Sequence, residues 1–235
     1  MAIPRQALRE LESLCPGRVT ADPIERRLYS HDVGVMPRLV RPLVGPALAD
    51  VVVQPRSEEE VIALVRWAAA HHVPLTPRAK ATSGYGGAIP VRGGIVADLS
   101  RLHGVLQLDR EAETVTVRPS TVWQDLEQEL AKDGLALRLY PSSAPSSTVA
   151  GWLAQGGVGY GSFEHGVFRE NVVSARLLLP SGEVRTISGD ELDLVSEAEG
   201  ITGLILTVTL RLRRLSEPVV WGAQFQSAAD LAAAL

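Results

Sequence analysis

The sequence predicts an α+β fold with two parts: a small parallel βαβ part, and a larger, mainly antiparallel sheet with flanking helices. The small part is indicated by apolar runs at residues 51–53 and 73–76, which stand on either side of a helical segment at 57–72. The larger part is indicated by several short strand-like runs after residue 94 and by alternating apolar and polar residues over 204–213. A cleft between two such parts is a common place for a ligand.

Two helices of the first part are predicted from apolar spacing and from end signals. Over residues 4–14, Leu8, Leu11 and Leu14 recur on one helical face. Ser57 is expected to open the next helix as a capping box, in which its hydroxyl accepts from a free helix N–H and Glu60 reaches back.

The second part is predicted to contain short strands separated by tight turns, at 94–98, 105–108 and 114–117. Thr121 is expected to cap a helix, because Gln124 follows three residues later. Further along, a hairpin is expected over 172–187, around a turn at 180–182. In the long alternating strand the residues expected to face inward are Leu204, Leu206, Val208, Leu210 and Leu212, and those expected to face outward are Thr207, Thr209, Arg211 and Arg213.

We divide the chain into three regions. Residues 1–44 form an N-terminal helix and lead-in, and 45–217 form the main domain, with subdomains at about 45–100 and 101–217. Residues 218–235 show a strand-like run followed by the start of a helix, which predicts the beginning of a further, truncated domain.

Composition narrows the classes of function. The 235 residues carry a net charge of −4, which gives no basic surface for nucleic acid. Cys15 is the single cysteine, so the chain cannot form an internal disulfide or hold an iron–sulfur cluster through four cysteines. No apolar run approaches the length of a membrane span, and the first residues do not resemble a signal peptide, so we expect a cytoplasmic protein without a membrane span.

A loop of small residues follows the strand at 73–76 and carries two cations, Arg78 and Lys80. Such a loop can direct several backbone N–H groups at one point, which suits a diphosphate, and Thr82 and Ser83 add hydroxyl groups. A surface turn between two strands is the alternative for this loop alone.

Three further segments are candidates for a ligand site. Residues 140–153 join two Ser-rich turns to the start of a helix, although a capped helix behind a loop explains them equally well. Residues 156–166 contain five glycines, which favours close approach of a planar or phosphorylated ligand over a mobile lid. Residues 199–203 form a Gly-rich turn before the long strand, for which a plain turn is an equally good explanation.

These four segments, in this order, resemble the PCMH-type FAD-binding domain of the vanillyl-alcohol oxidase and p-cresol methylhydroxylase superfamily. The similarity is closest to the glycolate oxidase and D-lactate dehydrogenase branch of FAD-linked oxidases. It covers roughly residues 20–215 and includes the runs at 50–61, 77–87, 93–100, 179–183 and 199–203. It implies a two-subdomain fold with FAD extended between the subdomains.

The resemblance also implies which residues contact FAD. Those at the pyrophosphate loop would be Pro77, Arg78, Ala79, Lys80, Ala81, Thr82, Ser83, Gly84 and Tyr85. Those on the flavin side would be Pro141, Ser142, Ser143, Thr148, Val149, Gly151 and Trp152, with Gly157, Gly159, Tyr160, Gly161 and Ser162 near the ring or diphosphate. Those at the adenine end would be Gly200, Ile201, Gly203 and Leu204.

The chain departs from the family pattern at several positions. Some members attach FAD through a histidine in the pyrophosphate loop, and the corresponding residue here is Thr82, so we expect non-covalent FAD. Glycines of that loop are replaced at residues 79–81, and alanine resists positive φ, so we expect an altered loop. Ala150 and Ser120 also stand where the family commonly has glycine.

The resemblance implies a flavin-dependent oxidoreductase that oxidises a small 2-hydroxy acid of the glycolate or lactate type, or a related alcohol, by hydride transfer to FAD. The expected partners are a small-molecule substrate and either a partner subunit or a cap domain. In family members the cap domain carries most of the substrate contacts. We therefore assign no catalytic residue and no metal, and consider His165 alone among the histidines worth testing. Two alternatives stay open: a non-catalytic FAD-binding subunit, and a degenerate member without flavin.

Overall fold

Two β-sheets organise the chain, as the sequence predicts. In this computed structural model the described residues are 3–34, 39, 47–217, 219 and 221–234. The smaller sheet contains β1 (Val19–Thr20), β2 (Val51–Val53), β3 (Leu75–Arg78) and β4 (Ile95–Asp98) in the order β1-β2-β4-β3. Strands β2 and β3 both run parallel to β4, and β1 is antiparallel to β2. The βαβ unit is thus confirmed, with β4 inserted between its two strands.

Three helices belong to this part: α1 (Arg5–Leu14), α2 (Pro23–Leu28) and α3 (Glu58–Ala70). The predicted cap of α3 is present, because Ser57 accepts a hydrogen bond from the Glu60 N–H. The Glu60 carboxylate reaches back one residue further than a capping box requires and accepts from the Arg56 N–H at 2.7 Å.

The larger sheet is antiparallel throughout its described pairings and has the order β5-β6-β10-β8-β9, with β7 paired to β10. Its strands are β5 (Val105–Asp109), β6 (Thr114–Val117), β7 (Leu135–Leu137), β8 (Val172–Leu178), β9 (Val184–Ser188) and β10 (Leu204–Arg214). The predicted hairpin is β8–β9. The α+β class and its division into a parallel and an antiparallel part are therefore confirmed.

Helices α4 (Trp123–Ala131), α5 (Val149–Gln155), α6 (Ser162–His165) and α7 (Ala228–Ala234) complete the described elements, with 3₁₀ turns at Phe168–Asn171 and Gly189–Leu194. The predicted cap of α4 is wrong. Thr121 lies one residue before the helix boundary, and its hydroxyl donates to the Arg118 carbonyl instead of accepting from a helix N–H. The same hydroxyl accepts from the Gly104 N–H at 2.9 Å, so it ties together the loops before the helix.

Strand β10 contributes to both hydrophobic cores. Leu204 and Leu206 pack into the core around α3 and the parallel sheet, whereas Ile205 and Val208 pack into the core around α4 and α5. A register shift between Ile205 and Thr207 in the pairing with β8 accompanies this exchange of faces. The predicted alternation consequently fails in the first half of the strand, where Thr207 is buried, and holds in the second half, where Arg211 is exposed.

The C-terminal region has its predicted helix, α7, but lacks the predicted strand among its described residues. No strand forms among residue 219 and residues 221–225, and α7 buries none of its residues. The predicted start of that region at 218, and parts of the predicted lead-in at 1–2, 35–38 and 40–44, lie outside the described residues.

A charged cluster joins the start of the chain to α3. The guanidinium of Arg18 donates to both carboxylate oxygens of Glu60, with Nη2 to Oε1 at 2.7 Å. Cys15 lies beside the pair, and burial raises the pKa of its thiol to about 11. The hydrogen bonds from Arg18 lower the pKa of Glu60 to about 2.

This cluster predicts a defined loss of stability in acid. The folded-state pKa of Glu60 lies below the ordinary carboxyl value, so the stabilisation is complete above about pH 5 and disappears as the pH falls towards 2. In urea unfolding, Glu60→Gln should be less stable than the wild type at pH 7, and the gap should narrow steadily in acid. Glu111→Gln, at an exposed carboxylate, serves as the control and should show no such trend. A constant gap for Glu60→Gln between pH 7 and pH 3 would contradict this account.

Candidate functional site

A cavity of about 200 Å³, partly open to solvent, lies where the two parts of the fold meet. Its walls come from the end of β3 and the loop after it, from the start of α5, and from the turn that leads into β10. Leu99, Leu204 and Ile205 supply apolar wall, and Leu204 and Ile205 belong to different cores. Its mixed polar and apolar lining suits a partly polar organic ligand.

The loop after β3 is braced by the lead-in segment. Asp32 is buried, and its two carboxylate oxygens accept from the Gly34 and Gly86 N–H groups at 2.8 Å each. The backbones of Gly34 and Gly84 also touch, since a Cβ on Gly34 would lie 2.6 Å from the Gly84 carbonyl oxygen. The Asp32 carboxylate and the contact between Gly34 and Gly84 therefore fix the outer part of the loop without a ligand.

Arg78 lines the cavity, but its guanidinium also contacts the lead-in. Its Nη1 donates to the His31 carbonyl at 2.7 Å, and its Cζ lies 5.6 Å from the centre of the Tyr29 ring. Burial lowers the pKa of Arg78, and the nearby Asp98 charge opposes that effect. An arginine remains charged under these conditions, so Arg78 brings a cation to the cavity wall while fastening residues 29–31.

Beneath this arginine lies a small polar network. The Tyr29 hydroxyl donates to Asp98 Oδ2 at 2.7 Å, and the Gln54 amide donates to the same oxygen at 3.1 Å. Burial, followed by the hydrogen bond to Asp98, raises the pKa of Tyr29 to about 12, so the phenol stays protonated and keeps donating. The network secures the end of β4 beside the cavity.

A side-chain contact connects the loop to α5. Gln155 Nε2 donates to Ser83 Oγ at 2.6 Å, and the Tyr85 N–H donates to the same oxygen at 3.2 Å. Ser83 thus accepts twice, which leaves its own hydroxyl proton free to donate into the cavity. Gln155 lines the cavity but was not predicted from the sequence, since it has no glycine or cation signal and lies two residues beyond the segment at 140–153.

The loop holds one residue in an unusual conformation. Ala81 has φ of 50°, in the left-handed region, although alanine disfavours that region. Ala81 therefore adopts a conformation that alanine resists, and the expected alteration of the loop relative to the family stays a prediction. The surrounding contacts at Asp32 and Ser83 impose the turn on a residue that does not favour it.

The five-glycine segment is explained by contacts within the chain. A Cβ on Gly161 would lie 2.1 Å from the Arg138 carbonyl oxygen, and one on Gly159 would lie 2.2 Å from the Tyr140 carbonyl oxygen. Tyr140 and Tyr160 also form a two-way backbone bridge. Gly159 and Gly161 permit close backbone packing, so these two glycines have a structural explanation that needs no ligand.

The structure brings most of the pyrophosphate-loop residues to the cavity and leaves others outside its lining. The predicted residues that line it are Pro77, Arg78, Ala79, Lys80, Ala81, Thr82, Ser83, Ser143, Thr148, Gly151, Trp152, Gly200, Gly203 and Leu204. Those outside its lining are Gly84, Tyr85, Pro141, Ser142, Val149, Gly157, Gly159, Tyr160, Gly161, Ser162 and Ile201. Contact of either group with FAD stays a prediction.

Further lining residues were not assigned to the cofactor from the sequence, and most of them are small or apolar residues without a distinctive pattern. They are Gly87, Ala88, Leu99, Pro119, Ser120, Ser147, Ala150, Ala154, Gln155, Glu199 and Ile205. Several of them could have been found by extending each recognised motif by one helical turn, as at Ala154 and Gln155.

The lining chemistry fits a flavin dinucleotide. The small residues of the loop let backbone groups approach a diphosphate, and Lys80 adds a cation at the same wall. Trp152 and the apolar residues offer surfaces for flat rings. The buried Ser120 hydroxyl in the cavity wall has no hydrogen-bond partner among the described residues. It can therefore pair with a polar atom of a ligand.

Comparison with known proteins assigns the family. A family model described as "FAD binding domain" matches residues 49–188, more than half of the chain. The chain belongs to this FAD-binding domain family. The resemblance described from the sequence is therefore confirmed, and FAD is the cofactor of the family.

Relatives of this FAD-binding domain include enzymes with different names. A D-lactate dehydrogenase [cytochrome], mitochondrial, of Arabidopsis thaliana is 30% identical over 92% of this chain and 38% of its own length. The glycolate oxidase subunit GlcD of Bacillus subtilis is 27% identical over 71% of this chain and 37% of its own length. A solved alkyldihydroxyacetonephosphate synthase superposes with a TM-score of 0.79 at 26% identity, covering 90% of this chain and 44% of that one. The chain thus spans less than half the length of these relatives.

Membrane and metal sites were sought in the same described ranges. Among the residues that the structure describes, no helix is long and apolar enough to cross a membrane. No group of three or more potential metal-ligating side chains occurs among them either. A cytoplasmic location and the lack of a nucleic-acid partner stay predictions.

The conformation of Ala81 predicts a stabilising substitution. Ala81→Gly should raise the free energy of unfolding by roughly 0.5–1 kcal/mol, because relief of left-handed strain outweighs the added freedom of glycine in the unfolded chain. Ala79→Gly is the matched control, since Ala79 does not have positive φ, and it should lower the stability by about as much. Urea unfolding of both variants measures the difference. Equal losses of stability in the two variants would show that Ala81 is unstrained.

Proposed function

We propose that this FAD-binding domain holds FAD non-covalently in the cavity between its two parts and serves a flavin-dependent oxidoreductase that oxidises a small 2-hydroxy acid. The observation that carries the proposal is the convergence on one cavity of the small-residue loop at 77–83, the start of α5, and the turn at 199–205. These segments are far apart in the sequence, and each has the residue types that a different part of FAD requires.

The backbone N–H groups of residues 79–83 would hold the diphosphate, together with the Lys80 ammonium and the Ser83 hydroxyl. Leu99, Leu204 and Ile205 would exclude water from the flat rings on the inner wall. The braces from Asp32 and Gln155 keep the loop in place, which lowers the entropy lost when the ligand binds.

Non-covalent attachment is supported by the chemistry of the lining. Thr82 occupies the position at which some family members carry the linking histidine. Among the described residues that line the cavity there is no histidine, cysteine or tyrosine that could form the bond.

The substrate class rests on the relatives named D-lactate dehydrogenase and glycolate oxidase. When bound, FAD supplies the hydride acceptor for such a reaction. This chain contributes the cofactor site, and we propose that a domain beginning at about residue 218, or a partner subunit, supplies most substrate contacts. His165 lies on α6, outside the cavity lining, so we propose no contact between His165 and FAD.

An absorbance spectrum of the purified chain, recorded after incubation with FAD and desalting, tests the proposal. We expect retained flavin absorbance, and acid precipitation should then release all the flavin into the supernatant. Colourless protein would contradict the cofactor site, and flavin in the acid pellet would contradict non-covalent attachment.

The same FAD-binding measurement on the variant Lys80→Gln tests whether the diphosphate lies beside Lys80. Loss of the cation should weaken FAD binding about three- to tenfold and reduce its dependence on salt, because one charged contact to the diphosphate is removed. Arg92→Gln, at an exposed cation outside the cavity lining, is the matched control and should bind FAD as the wild type does. Equal affinities for all three proteins would place the diphosphate elsewhere.

A further inference from the structure

Ser120 is a buried polar residue whose side chain is unsatisfied. It lies in the loop between β6 and α4, is 1% exposed, and lines the cavity. Its backbone N–H donates to the Leu102 carbonyl at 3.0 Å, but its Oγ has no hydrogen-bond partner. A buried hydroxyl without a partner destabilises a protein, so its presence calls for an explanation.

Neighbouring hydroxyls, in the wall at Ser147 and beside it at Thr121, are paired. The Ser147 hydroxyl donates to the Ser143 carbonyl at 3.0 Å, and the Thr121 hydroxyl donates to the Arg118 carbonyl at 2.8 Å. The local backbone thus has acceptors that a serine can reach, and Ser120 uses none of them. The missing hydrogen bond is therefore specific to the Ser120 hydroxyl, since the neighbouring hydroxyls of Ser147 and Thr121 are paired.

Two backbone hydrogen bonds fix the position of Ser120 against the start of α5. The Ala150 N–H donates to the Pro119 carbonyl at 3.3 Å, and the Val149 N–H donates to the Thr121 carbonyl at 2.9 Å. Ser120 is therefore held between two residues that are both attached to the helix start, which the sequence analysis associated with the flavin half of the cofactor. It does not belong to the turn at 199–205, which was associated with the adenine end.

We propose that the Ser120 hydroxyl pairs with a hydrogen-bonding atom in the flavin half of FAD, either on the ribityl chain or on the isoalloxazine ring. This inference rests on the proposed function and assigns a further cofactor-binding residue to it. The hydroxyl is a selective contact, because a glycine, which is common at this position in the family, cannot make it. Its effect is confined to the flavin half, so it does not contribute to binding of the adenine and diphosphate part.

The test compares Ser120→Ala with Ser147→Ala in the full chain. Both variants remove a serine hydroxyl from the same wall, but only Ser147 loses a partner within the protein. In the FAD-free protein, Ser147→Ala should lower the urea midpoint, whereas Ser120→Ala should leave it unchanged or raise it. Fluorescence titrations with FAD, riboflavin and ADP then measure the three affinities.

Ser120→Ala is expected to weaken FAD and riboflavin binding about tenfold, the effect of one lost hydrogen bond, and to leave ADP binding unchanged. A shift of the visible flavin band in this variant would assign the partner to the ring, and weakened binding without a shift would assign it to the ribityl chain. Either result supports the proposal.

Three results would overturn the proposal while the proposed function stands. Unchanged FAD affinity in Ser120→Ala would remove the contact, and equal weakening of ADP would move it to the other half of the cofactor. A drop of the urea midpoint like that of Ser147→Ala would reveal a partner within the chain and would also overturn it. Wild-type protein that binds no FAD contradicts the proposed function itself, which is a separate outcome.

Discussion

The passage of β10 through both hydrophobic cores is the constraint on which the rest of the structure depends. Leu204 and Leu206 pack on the parallel sheet and Ile205 and Val208 pack on the other core, so one strand joins the two parts. Gly203 permits this entry, because a Cβ there would lie 2.8 Å from the Leu178 carbonyl oxygen and the residue has φ of 159°. The cavity forms where the strand enters, with Leu204 and Ile205 in its wall. A cavity built on a shared strand keeps its two sides in a fixed relation, which suits a long cofactor that must contact both.

The outer wall of the cavity, formed by the loop after β3, is held by contacts with residues that are distant from it in the sequence. Asp32 holds the Gly86 N–H, Arg78 holds the His31 carbonyl, and Gln155 holds Ser83. The lead-in segment therefore acts as part of the site even though none of its described residues lines the cavity. These braces also explain why Ala81 accepts a left-handed conformation: the contacts on either side determine the path of the loop.

The fold and the ligand loop were predictable because their signals are local. Ser57 caps α3 through a short-range hydrogen bond, and the small residues at 77–83 are read directly from the chain. The predictions that failed concern residues whose environment is not set by local sequence. The Thr121 hydroxyl accepts from the Gly104 N–H, Thr207 is buried because a second core covers its face, and Gly161 packs against the Arg138 carbonyl. Each depends on a contact between distant segments, which a single sequence does not specify.

The measurement that tests the central claim most directly is a crystal structure of the chain grown with FAD. The account predicts electron density for FAD extended through the cavity between the two parts, with its diphosphate against the backbone of residues 79–83 and its rings against the wall that contains Leu204 and Ile205. Density for FAD on another surface, or a cavity closed by movement of β10 away from the second core, would contradict it.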